Sequence, residues 1–166
     1  MKLLLVAAAV AAGAGAALQV TPARTEAAGY AVTHALVVRN LVKNRGKFKD
    51  RLPSDPEAAL DAWRRKNAEH VRAAEGYLVA ARVAVERKGG AQAGEDFYAQ
   101  THGLFVRQAN KSLNEIFGAL GPQPGICERW IEAIGGGQAD LNWQSKYMPA
   151  LDELRDFERA LRPGAR

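Results

Sequence analysis

The chain has 166 residues, a net charge of +5 and a single cysteine. That length holds one domain with a proper core even when a leader of about 20 residues is set aside. The lone Cys127 excludes an intramolecular disulfide and any multi-cysteine zinc site, which leaves a buried inert thiol as its expected state. Abundant Ala with few β-branched and aromatic residues favours helix over sheet, so the expected fold is all-α.

Met1 and Lys2 precede a run from Leu3 to Val20 with no charge and only Gln19 as a strongly polar side chain. Two readings compete for it. A cleaved secretory leader fits the short basic start, the apolar centre and a small-residue exit at Ala14-Gly15-Ala16. A retained span fits the length narrowly, since a helix over this run covers roughly 27 Å against a hydrocarbon core of ~30 Å. Its Ala and Gly residues, Gly13 and Gly15 among them, would permit close helix contact inside a membrane assembly. With Met1 at the head of the chain, the retained span is the leading expectation. The organisation that follows is a membrane-anchor or signal segment over residues 1–22 and a helical bundle over residues 23–166.

Thr21 to Gly29, with Pro22 and several small residues, reads as the exit from that segment. A helix is then predicted from Tyr30 to about Lys43, with Leu36, Val37, Val38, Leu41 and Val42 broadly on one side and Asn44 to Gly46 as its stop. Arg24, Arg39, Lys43, Arg45, Lys47, Lys49 and Arg51 face only Glu26 and Asp50 between residues 24 and 51, a local excess equal to the net charge of the whole chain. Arg39, Lys43, Arg45, Lys47, Lys49 and Arg51 are the candidate contacts to anionic lipid or an acidic partner. A solvated loop after a helix is the plain alternative. Phe48 is the sole aromatic among these charges, which is poor material for base stacking, and no nucleic acid is expected as a partner.

Ser54-Asp55-Pro56-Glu57 combines a capping residue, a first-turn Pro and a Glu three after the Ser, the clearest helix start in the chain. Leu60, Trp63, Asn67, Val71, Ala74, Leu78, Ala81 and Val85 recur at three- and four-residue spacing until Gly89-Gly90, predicting one long bundle helix. Gly76 within it is either a weak point or a place of close helix contact. A third helix is predicted from Glu95 to Leu120, with Phe97, Thr101, Leu104, Phe105, Gln108, Leu113, Ile116, Phe117 and Leu120 as its inner face and Glu95-Asp96 facing the dipole of its first turn. Gly121 to Gly125 breaks the chain, a short helix from Ile126 to Ile134 ends at three glycines, and Leu151, Leu154, Phe157 and Leu161 mark a final helix. The short linker makes the two long helices antiparallel, the others completing an up-and-down bundle.

The residue pattern argues against catalysis. His34, His70 and His102 lack the Glu three residues upstream that paired-iron bundles place on one face, so no metal site is expected. A b-type haem between a His and Met148 has no support beyond residue identity, and no Cys-x-x-Cys-His is present, so no cofactor is expected. Asp152, Glu153, Asp156 and Glu158 alternate with Arg155 and Arg159 as a solvated face does. Cys127 has no nucleophile turn beside it. Trp130, Trp143 and Tyr147, in the Gly/Pro-punctuated final third, are the candidate partner contacts, with core packing as the alternative.

The leading expectation is a non-catalytic structural or accessory subunit of a membrane protein complex. It would be held in the bilayer through residues 3–20 beside other subunits, in an energy-transducing membrane such as the mitochondrial inner membrane or the thylakoid. The alternatives are an exported periplasmic or secreted helical-bundle binding protein, and a bundle enzyme or b-type haem carrier.

Overall fold

The computed structural model describes residues 19–45, 48, 55–143 and 145–160. The expected apolar segment over residues 3–20, except its last two residues, lies outside them, as do Lys47, Lys49 and Arg51. Among the described residues the chain is mostly helical and has no strand. Helix α1 spans Pro22–Arg45, α2 Pro56–Gly89, α3 Ala91–Phe117 and α4 Pro124–Gly135. Two 3-10 turns, Leu141–Trp143 and Ser145–Tyr147, lead into α5, Met148–Ala160.

Helix α1 begins a full two turns before the start predicted at Tyr30. The signal is local: Pro22 takes the first helical position, where its missing N–H costs nothing, and the Arg24 N–H donates to Thr21 Oγ1 at 3.3 Å. What reads as an exit loop is therefore the capped start of the central helix, which touches every other α-helix. Its small residues Ala27, Ala28 and Ala31 are wholly buried and let neighbours approach closely, while Val38, Leu41 and Val42 fill the layer below.

Helix α2 starts as predicted. The Asp55 carboxylate accepts from the N–H groups of Glu57 at 3.0 Å and Ala58 at 3.3 Å, satisfying two of the donors that a helix start leaves orphaned. At the far end Gly90 takes φ +85, open to glycine and strained for other residues, and turns the chain directly into α3. That one-residue turn makes α2 and α3 a tight antiparallel hairpin, clasped by Arg82 and Glu95 at 2.8 Å. Because α3 starts at Ala91, Glu95 lies beyond its first turn, and its charge serves this ion pair instead of the helix dipole. Gly76 meets open space, so it marks no close helix contact.

Helix α1 runs antiparallel to α2: Thr25 Oγ1 lies 2.8 Å from Tyr77 Oη near one end, and the His34 and Trp63 rings lie 6.0 Å apart further along. Helix α5 packs against both α1 and α2, and along α2 His70 Nε2 donates to Asp152 at 3.0 Å and Arg159 meets Glu69. Leu60, Trp63, Tyr77, Leu113, Phe117, Ile131, Ile134, Leu151 and Leu154 join α1 in one core. Each such large side chain taken out of water contributes about 1.5–3 kcal/mol before entropy is charged. Cys127 is buried among them.

Candidate functional site

Two contrasting features meet on the α1–α2–α3 face. The first is a polar clamp around residues 139–141. The Ala139 carbonyl accepts two hydrogen bonds, one from Trp63 Nε1 at 2.7 Å and one from His34 Nε2 at 2.6 Å. A carbonyl only accepts, so His34 carries its proton on Nε2. Asn67, 4% exposed, uses its whole amide: Nδ2 donates to the Trp63 carbonyl at 2.8 Å and to Asp140 at 3.0 Å, and Oδ1 accepts from the Leu141 N–H at 3.0 Å. Tyr30 donates to the Leu141 carbonyl at 3.3 Å and stacks on Tyr147, centroids 4.7 Å apart. The segment leaving α4 is thus tied to α1 and α2 through its own backbone, in the manner by which buried polar groups avoid their desolvation cost.

Burial shifts the titration of both clamp residues from α1. Burial foremost, then the neighbouring Tyr147, pushes the Tyr30 phenol up to about 12. The His34 imidazole is held below its ordinary value because burial disfavours the cation, against opposing help from the Ala139 carbonyl and Asp140. His34 is therefore a neutral donor near neutral pH, with its Nε2 proton committed to the backbone.

The second feature is an open, mainly apolar groove of about 1110 Å³ that runs from Val20 and Pro22 along α1, between it and α3, and up the α2–α3 hairpin. Phe105 forms part of its floor: its ring sits on Gly29 so closely that a Cβ there would lie 2.8 Å from Cε1. Val85 of α2 and Phe97, Leu104 and Ile116 of α3 line it. Sequence periodicity places these four on inner faces. Leu104 is nevertheless 46% exposed. Leu120 is 83% exposed, since α3 ends at Phe117 ahead of Gly118.

The candidate partner contacts divide. Trp130 and Tyr147 both line the groove and pack partly against the core. Trp143 stands in the first 3-10 turn, its side chain outside the described residues. Of the basic cluster, Arg39 and Lys43 are exposed on α1; Arg45 ends that helix, with its side chain outside the description. Arg24 belongs elsewhere, bridging Glu153 at 3.1 Å and donating to the Gln19 carbonyl at 3.1 Å. Sequence reasoning missed the clamp, because nothing local marks Ala139 as the carbonyl that His34 and Trp63 will share.

Among the described residues no three His, Cys, Asp or Glu side chains gather where one metal ion could bind. Nor is any helix among them long and apolar enough to cross a membrane. No protein-family model matches the chain, and neither a curated protein nor a solved structure is similar to it. What the arrangement offers chemically is apolar surface beside a rigid hydrogen-bonded base.

Proposed function

We propose that this chain is a non-catalytic docking subunit of a membrane protein assembly. Residues 3–20 hold it in the lipid bilayer, and the groove receives an apolar helix of a partner subunit. The observation that carries the reading is the groove. At about 1110 Å³ it exceeds the roughly 300–1,000 Å³ of small-ligand pockets, and helix-in-groove recognition uses this kind of extended apolar trough.

The test is purification from native membranes. The expected result is an intact Met1 in carbonate-washed membranes and a co-purifying subunit that is lost in Leu104→Asp. A trimmed, water-soluble protein purified alone would end the reading. It would favour the second one, an exported binding protein whose groove takes an apolar small molecule.

A further inference from the structure

We propose that residues 7–18 of this same chain seat in the upper part of the groove, as a short helix lying along the α2–α3 hairpin. The chain arrives at the groove itself: Val20 and Pro22 are part of its wall, and Arg24 holds the Gln19 carbonyl at 3.1 Å, fixing the point of arrival. Thr21 is level with Tyr77, whose hydroxyl donates to the Thr21 carbonyl at 3.3 Å. Beyond that level α2 continues to Gly89 with no partner from α1, a rise of about 18 Å, and residues 7–18 as a helix span about 18 Å. The lengths match.

The chemistry matches as well. Residues 7–18 are Ala, Gly and Val up to Leu18, without a charge, and the hairpin offers Ala81, Ala84, Val85 and Phe97. Small side chains on both sides allow backbones to approach closely. Pro22 prevents the seated helix from being a continuation of α1, because it has no N–H to donate and its ring crowds the preceding turn. Residues 19–21 are non-helical and supply the corner.

The seat stands on the groove's geometry, while its consequence rests on the anchoring reading above. Off the membrane the apolar segment is sheltered by its own bundle, and its transfer to lipid empties the groove for the partner helix.

The experiment uses the full chain in detergent-free buffer with cysteine pairs, the native thiol of Cys127 being buried. If residues 7–18 seat antiparallel to α2 with Leu18 level with Tyr77, Ala11 falls level with Ala84. The pair Ala11→Cys with Ala84→Cys is then expected to cross-link within one chain at least about tenfold faster than Ala11→Cys with the exposed Asp61→Cys, through the gain in effective concentration. In parallel, Ala14→Asp is expected to raise uptake of an apolar fluorescent dye several-fold with helical content unchanged. Equal cross-linking rates, or a chain dispersed only by detergent, would overturn the seat. Anionic phospholipid vesicles then separate the two readings. A rate that falls to the control on their addition supports seat and anchor together, whereas a rate that persists leaves the seat standing and removes the anchor.

Discussion

The clamp at residues 139–141 and the hairpin end of the groove are built from the same helices and solve opposite problems. At the clamp, irregular backbone is buried, and each carbonyl or N–H that loses water finds a side chain: Ala139 has His34 and Trp63, Leu141 has Asn67 and Tyr30. At the hairpin the backbone is satisfied within the helices, and side chains are left over, with Leu104 and Val85 facing the groove. Unpaired polar groups are costly enough that folding closes the first region by itself. Uncovered apolar surface is cheaper to leave, so the second region can be kept for a partner.

The comparison can be broken first at the clamp. Trp63→Ala removes a buried indole that both fills the core and donates to Ala139, and a loss of about 3–5 kcal/mol is expected in urea unfolding. Asn67→Leu leaves the Leu141 N–H without its acceptor and takes a donor from Asp140 and from the Trp63 carbonyl; about 2–3 kcal/mol should go, with amide exchange at Leu141 accelerated as the specific signature. Gly137→Ala is smaller. That residue sits at φ +80, and a Cβ there would lie 2.9 Å from both Asp140 Oδ2 and Lys66 Nζ, so about 1–2 kcal/mol is expected in thermal melts.

The pH dependence sharpens the same contrast. The folded His34 titrates below its ordinary 6.5, so between the folded value and 6.5 the unfolded chain binds more protons. Its contribution is complete above 6.5 and is lost as pH falls through the folded-state value. His34→Gln keeps a donor for Ala139, and its stability should be flatter over that acid limb in equilibrium unfolding. The smallest effect belongs to the groove: Leu104→Ser is expected to change stability by no more than about 0.5 kcal/mol while reducing binding of the apolar partner or dye. An equally large stability loss there would mean that the groove is core after all.

Helix boundaries were legible wherever they rest on short-range chemistry. Asp55-Pro56 and Gly89-Gly90 delimit α2 in the sequence as in the structure, and the break read at Gly121 to Gly125 overlaps the link over residues 118–123 and the first residues of α4. The one large boundary error, at α1, came from reading Thr21-Pro22 as an exit when the same two residues cap a helix. Periodicity also identified Val85, Phe97, Leu104 and Ile116 as an apolar face, but it could not say whether that face meets protein or open space. Tyr77 falls outside the periodic stripe read from the sequence, yet it is buried, its hydroxyl beside Thr25 and the Thr21 carbonyl.

The all-helical character, the hairpin and the apolar stripes were determined by the sequence alone, because caps, glycine stops and three-to-four spacing act over a few residues. The clamp and the groove were decided only in three dimensions. One needs His34, Trp63 and Ala139 to converge from three distant stretches of chain. The other needs faces of α1, α2 and α3 to line one trough, and neither relation is contained in any local run of residues.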